Sequence, residues 1–132
     1  MTKRGWGRIL KNLNRSTEVL QAFKQSKQWC DLSLAYLGFK DLSYPYEFKT
    51  RDGKQIRLNT FHDLVTIWVI FFRHEYKIPK GCETIVDAGA NIGSFSIYAS
   101  QYNPKTIYAL EPFPETFSQL ENNINNNNLD SL

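Results

Sequence analysis

Hydrophobic and polar positions along this chain change period several times, and each change marks an element. Between Val19 and Leu37, the residues Leu20, Phe23, Leu34 and Leu37 sit at helical spacing. This predicts one or two amphipathic helices ending near Gly38, with those residues in the core. From Tyr46 to Leu58 the pattern alternates about Thr50-Arg51-Asp52-Gly53-Lys54, a hairpin signal. A loop of Arg51 to Gly53 sets Tyr46 opposite Leu58, Glu47 opposite Arg57 and Phe48 opposite Ile56. A shorter Asp-Gly loop would set Phe48 against Arg57, so the longer loop gives the better register. Thr60 and Asp63 form a capping pair ahead of Phe61, Leu64, Val65, Trp68, Phe72 and Tyr76, which predicts a helix ending near Ile78-Pro79 and packed against a sheet. Its most apolar stretch, Leu64 to Phe72, is far shorter than the roughly twenty residues that span a bilayer.

The next run, Thr84 to Val86, is β-branched and apolar and stops at Asp87. It reads as a parallel strand buried on both faces, with a carboxylate at the end where doubly wound sheets bind ligands. Gly89 and Gly93 allow a sharp turn and a close approach of a ligand to the backbone. A helix from about Ile92 to Gln101 follows, and then a second strand, Thr106 to Leu110. That strand ends in Glu111, about where such folds place a ribose-binding carboxylate. A last helix starts near Pro114, which suits the first helical position, and buries Phe117, Leu120 and Ile124. Asn122, Asn123 and Asn125 to Asn128 read as a fraying tail, better explained by compositional drift than by partner recognition.

The plainer reading is that both glycines only make a tight turn and Glu111 is a solvated strand end. Asp87, the glycines and Glu111 agree in type, order and spacing with a nucleotide-cofactor site, and that agreement outweighs it. For Asn91, a functional turn contact and a helix N-cap remain rivals. A nicotinamide site wants Gly-x-Gly-x-x-Gly, but Gly89-Ala90-Asn91-Ile92-Gly93 lacks the middle glycine that admits a pyrophosphate. Asp87 would repel a pyrophosphate and attract a cation. S-adenosylmethionine, with its sulfonium and ammonium, suits this corner better than a dinucleotide does.

The pattern Asp-x-Gly-x-x-x-Gly at Asp87, Gly89 and Gly93, followed by Glu111-Pro112, resembles the class I S-adenosylmethionine-dependent methyltransferases. Val-Asp-Ala-Gly-Ala-Asn-Ile-Gly with Ala-Leu-Glu-Pro-Phe-Pro-Glu-Thr-Phe and an asparagine-rich helix looks, more narrowly, like the FkbM family. The likeness is strongest over Gly81 to Leu129. It implies methyl transfer, mostly to hydroxyl oxygens of saccharides and natural products. It also implies that Asp87, Ala88, Gly89, Ala90, Asn91 and Gly93 hold the methionine part of the cofactor. Glu111 would then take the ribose hydroxyls, and Phe113, after Pro112, would lie near the adenine.

The fold class expected is therefore α/β: an incomplete Rossmann-like class I methyltransferase fold, with its first two parallel strands and their helices, preceded by helices and a β-hairpin. Residues 1–80 would form the helical and hairpin segment packing on the core, and residues 81–132 the first half of the cofactor domain. A full class I fold has seven strands, and after the glycine motif this sequence supplies only strand, helix, strand, helix. The reading is an N-terminal fragment or truncated frame, with the first strand left as an apolar edge open to self-association. Acceptor-facing groups commonly come from later loops, so the sequence supports cofactor binding better than catalysis and names no catalytic base. The rival reading is a non-catalytic remnant that binds cofactor or a protein partner.

Composition and charge add less. The net charge is +3, and basic residues crowd the N-terminus, where Lys3, Arg4, Arg8, Lys11, Arg15, Lys24 and Lys27 face only Glu18. With Trp6, Ile9, Leu10 and Leu13 this segment could dock on an anionic membrane or nucleic acid, but a solvated helical arm is the better reading. No base-stacking or phosphate-binding constellation supports nucleic acid as a partner. Tyr36, Tyr44 and Tyr46 suit packing better than an acceptor pocket. His62 and His74 lack metal-ligand partners at suitable spacing. Cys30 and Cys82 are solitary, and no secretory signal precedes them, so reduced thiols in cytoplasm are expected. The expected partners are a small-molecule or saccharide acceptor, with no membrane span.

Overall fold

A computed structural model describes residues 16–129; the basic arm with Trp6, Ile9, Leu10 and Leu13 lies outside the described residues. The chain begins with helices α1 (Ser16–Gln25) and α2 (Trp29–Tyr36). Their inward stripe is Val19 and Ala22 on α1 and Ser26 just past its end, continued by Leu32 and Ala35 on α2. This corrects the expected core, because Leu20, Phe23 and Leu34 are 51%, 47% and 38% exposed and Leu37 is only half-buried. Helical spacing alone does not say which of two adjacent stripes of α1 meets the core, and the helix breaks at Ser26. At that break the Ser26 hydroxyl accepts from the Gln28 N–H (3.1 Å) and donates to the Lys49 carbonyl (2.7 Å), which ties the helices to the hairpin.

The hairpin strands β1 (Tyr46–Lys49) and β2 (Gln55–Leu58) pair in the expected register, Tyr46 with Leu58, Glu47 with Arg57 and Phe48 with Ile56. Gly53, at φ +94°, supplies the left-handed residue that a three-residue loop requires. Helix α3 (Phe61–Ile67) opens with the expected capping box: Thr60 accepts from the Asp63 N–H, and Asp63 accepts from the Thr60 N–H. Such a cap is worth about 1 kcal/mol.

The helix then widens into a π turn, Trp68–Phe72, and stops, short of the Ile78-Pro79 end expected from periodicity. The extra residue per turn rotates the face, so Trp68, Ile70, Phe71 and Phe72 are all buried. His74, at φ +52°, carries the chain out of the helix, and Tyr76 leaves the core, 48% exposed. Inside, Tyr36 stacks on Trp68 at 4.2 Å, and Phe48 meets Phe71 edge-on at 5.2 Å. Tyr36, Tyr44 and Tyr46 all pack against this core.

Strands β3 (Thr84–Ala88) and β4 (Thr106–Leu110) run parallel, Thr84 beside Thr106 through Ala88 beside Leu110, and are connected by α4 (Ser94–Ser100). One face carries Ile85, Asp87 and Ile107 toward the helices. The other leaves Val86, Tyr108 and Leu110 at 60%, 56% and 55% exposure. The expectation of a strand buried on both faces is thus corrected: among the described residues, helices cover one face only, and β3 pairs with β4 alone. The result is a mixed α/β structure with a parallel pair, compatible with part of a Rossmann-like fold. No helix among the described residues is long and apolar enough to cross a membrane.

Helix α5 (Pro114–Asn125) starts with Pro114 in its first turn, as expected, and buries Leu120 and Asn123. Ile124 is half-buried, and Phe117, assigned to the core from its spacing, is 38% exposed. The asparagines do structural work that composition alone hid. Asn123 Oδ1 accepts from the Arg57 N–H (2.9 Å), and the Asn127 amide both accepts from the Gln55 N–H (2.9 Å) and donates to its carbonyl (2.6 Å). Gln119 accepts from Asn59 Nδ2 at 2.7 Å, extending the series along the strand. On the opposite edge, Gln28 brackets Glu47 and Lys49 of β1 in the same way, at 2.9 Å on each side. Side-chain amides therefore satisfy both outer edges of a two-stranded ribbon that would otherwise present unpaired backbone.

Candidate functional site

The glycine turn joins the carboxyl ends of both parallel strands. Gly89 and Ala90 donate to the Leu110 carbonyl at 2.8 and 3.0 Å, and Gly93 donates to Ala90 at 2.8 Å. Asn91 donates to Glu111 Oε2 at 2.9 Å, while Phe113 donates to Oε1 at 3.0 Å. Glu111 is thus the brace between the turn after β3 and the loop after β4, and each carboxylate oxygen keeps a further lone pair. Gly89, Asn91 and Gly93 adopt φ values of +77°, +51° and +84°. Gly93 is the residue before α4, so the N-cap reading of Asn91 is overturned: Asn91 is a left-handed turn residue.

The two glycines serve different ends. A Cβ on Gly93 would sit at ordinary contact distance, 3.5 Å, from Leu120 of α5, so it is the left-handed conformation at φ +84° that selects glycine. A Cβ on Gly89 would meet no heavy atom within 4 Å, because that position faces open space.

Asp87 lies on the covered face of β3, only 8% exposed, and accepts from the Ser96 hydroxyl at 2.7 Å. Burial pushes its carboxyl above the usual range, and the Ser96 hydroxyl and backbone N–H pull partly the other way. Asp87, Ala88, Gly89, Ala90 and Asn91 all line a cleft of about 490 Å³. Thr66, Ile70, Tyr76, Val86 and Phe95 line it as well, and the Ser94 hydroxyl, which lines it too, is buried without a hydrogen-bond partner among the described residues. Gly93, Glu111, Pro112 and Phe113 are not among the lining residues. Glu111 is half-buried against the turn, and Phe113 is 69% exposed. Another hollow of about 430 Å³, between α1 and the end of the π turn, contains none of the residues expected to hold the cofactor.

Several contributors escaped the sequence reading. Ser94 and Phe95 directly follow the motif. Tyr76 reaches the cleft because the helix ends early. Asn123, 1% exposed, donates to the Ile92 carbonyl at 2.8 Å and so supports the turn from behind. Its signal was a polar residue beside Leu120 and Ile124 on the inward stripe of α5. Among the described residues, no group of three or more His, Cys, Asp or Glu is placed to hold a metal ion.

Compared with known proteins, a 49-residue stretch is 45% identical to Methyltransferase 1 of Beauveria bassiana (strain ARSEF 2860). The match covers 36% of this chain and 20% of that protein, so the chain spans about a fifth of the relative's length. It supports likeness to a methyltransferase in general terms. No family model matches the chain. No solved structure matches it.

Proposed function

We propose that the chain carries the cofactor half-site of an S-adenosylmethionine-dependent methyltransferase of FkbM type, acting on a hydroxyl of a saccharide or natural product. The observation that carries this reading is the commitment of the turn's backbone. The N–H groups of Gly89, Ala90, Asn91 and Gly93 already donate within the protein. A phosphate-binding turn must offer such donors to its ligand. This turn instead offers open space over Gly89 and, beside it, the Asp87 carboxylate, which suits a cationic ligand and opposes a pyrophosphate. The unpartnered Ser94 hydroxyl adds a buried polar group that a polar ligand would satisfy.

The residues present therefore fit the cofactor. Asp87 would face its ammonium-bearing end, Gly89 would allow close approach, and the free lone pairs of Glu111 would accept from ribose hydroxyls. When bound, the cofactor supplies a methyl group activated on a sulfonium. The chain's own part is to fix that end of the ligand against a rigid turn, so that positioning carries much of the rate. The parallel pair, the order Asp87, glycine turn, Glu111, and the similarity to a methyltransferase all support the reading.

Calorimetric titration with S-adenosylhomocysteine, with NAD as the control, tests it. Saturable binding of the first alone is the expected result. A folded chain that binds NAD and not S-adenosylhomocysteine would refute the assignment. The alternative, a non-catalytic remnant that engages a partner, draws on the apolar sheet face of Val86, Tyr108 and Leu110. Saturable cofactor binding with no methyl transfer to any hydroxyl acceptor offered would favour it.

A further inference from the structure

Sequence alone favours solvent for the basic arm, but the outer face of α1 changes that balance. Leu20, Phe23 and Lys24 share one face at three- and four-residue spacing, beside the Val19 and Ala22 stripe that meets the core, and Lys27 follows in the turn after the helix. All four are exposed. Trp29 extends the apolar patch, its ring packed nearly perpendicular to that of Phe23 with centroids 5.6 Å apart. Arg51 reaches the same place from the hairpin loop. Its backbone N–H donates to the Gln25 carbonyl at 2.7 Å, its Nε donates to the Phe23 carbonyl at 3.0 Å, and its guanidinium lies over the Phe23 ring, 5.3 Å from the centroid. Two bulky apolar side chains, each about half exposed, are thus framed by Lys24, Lys27 and Arg51. None of these three cations forms an ion pair among the described residues.

The nearby acids do little to cancel this charge. Glu18 turns inward, accepting from Trp68 Nε1 at 2.5 Å and from Arg73 Nε at 3.3 Å, and Asp31 is held by Lys40 at 2.5 Å. Asp52, exposed beside Arg51, is a single offsetting charge. Residues 1–28 carry seven Lys and Arg against Glu18, a net +6 in a chain of +3, which leaves −3 on the remainder. In sequence, the segment leading into α1 repeats the same mixture, with Trp6, Ile9, Leu10 and Leu13 at helical spacing among Arg8, Lys11 and Arg15.

We infer that the outer face of α1 is a docking surface for an anionic lipid bilayer. The inference is independent of the cofactor reading. Lipid headgroups attract the three cations, Leu20 and Phe23 enter the boundary with the acyl chains, and the long Lys24 and Lys27 side chains keep their ammonium groups at headgroup level. A nucleic acid would answer the charge but not Leu20. Nor is the Phe23 ring an open stacking platform, since Arg51 covers one face and Trp29 packs against it. A second copy would set this cationic face against its own like, which costs repulsion.

Co-sedimentation of the full chain with phosphatidylcholine vesicles containing about 25% phosphatidylserine tests this, with pure phosphatidylcholine vesicles and a double-stranded oligonucleotide as comparison probes. The expected result is binding to the mixed vesicles that weakens with salt, and little to the neutral ones. Each basic residue at an anionic surface is worth about fivefold, so Lys24→Gln with Lys27→Gln should lower binding by about 10- to 30-fold. Removing two exposed lysines elsewhere, Lys80→Gln with Lys105→Gln, changes net charge equally and should leave binding within about twofold. Leu20→Ser should lower it by about fivefold while the circular dichroism spectrum is unchanged, because Leu20 is 51% exposed. Equal losses in the two lysine pairs, or no loss in Leu20→Ser, would overturn the assignment of this face. Tighter binding to the oligonucleotide than to the mixed vesicles would assign the charge to nucleic acid instead. A dimer that Leu20→Ser dissolves, in a chain that ignores vesicles, would give the face to a second copy.

Discussion

Replacing Asn123 with alanine should be the most damaging single change in the asparagine tail, and its cost can be built from the structure. The side chain is 1% exposed. It accepts from the Arg57 N–H at 2.9 Å and donates to the Ile92 carbonyl at 2.8 Å, with a longer contact of 3.5 Å to the Arg57 carbonyl. Alanine leaves the N–H and the first carbonyl without partners. Each stranded buried group costs about 1–3 kcal/mol, and partial access of water to the β2 edge favours the low end, so the total is about 2–4 kcal/mol. In a chain of this size that lowers Tm by about 10 °C. Circular dichroism melts and urea titrations measure it, with Asn122→Ala and Asn125→Ala as exposed controls expected within about 0.5 kcal/mol of the parent. Because Ile92 sits inside the glycine turn, the same variant should also weaken S-adenosylhomocysteine binding at a temperature where it remains folded. A loss of stability no larger than that of the controls would refute the reasoning that this amide holds the hairpin edge and the turn together.

Other changes probe the site more directly. Glu111→Ala removes acceptors for ribose hydroxyls and frees the N–H groups of Asn91 and Phe113. S-adenosylhomocysteine affinity should fall by about 10- to 100-fold in calorimetry, and unchanged affinity would reject the role. Gly89→Val puts a branched side chain at φ +77° and into the open space of the cleft; it should abolish measurable binding, and tight binding would reject the geometry. Asp87 holds its proton more tightly than an ordinary carboxyl at 3.8, chiefly through burial, so the folded state binds more protons than the unfolded state just above that value. Stability should therefore fall as pH rises through this window, and Asp87→Asn should flatten the slope. Affinity for the cationic S-adenosylmethionine should rise over the same window in the parent, and a flat profile there would exclude Asp87 from the charge contact.

Much of the local structure was legible because it rests on short-range chemistry. The Gly53 loop, the Thr60–Asp63 capping box, the Pro114 helix start and the β4 boundaries each follow from residues within a few positions. What failed depends on contacts between elements. Leu20 and Phe23 lie on the outer face because the stripe of Val19 and Ala22 beside them meets the core, and Tyr76 left its helix because the π turn and His74 end it early. Alternation alone could not show that Val86 and Tyr108 face open space, since coverage of a sheet depends on what packs against it. In the site, Asp87 to Asn91 come together as their order implied, whereas Glu111 proves to be a brace as much as a candidate ligand contact. The roles of Asn123 and Tyr76 needed partners 31 and 19 residues away, Ile92 and Phe95 respectively, which no local pattern names.

On the proposed function, the cofactor's charged end docks at the turn after β3. Amide chemical shifts of the isotopically labelled chain, followed during titration with S-adenosylhomocysteine, test it residue by residue. Saturable shifts should concentrate at Ala88, Gly89, Ala90 and Asn91, with the signals of α1 and the Gly53 loop unmoved. Shifts centred on the hollow at Arg73 and His74, or no saturable shift in a folded chain, would contradict it.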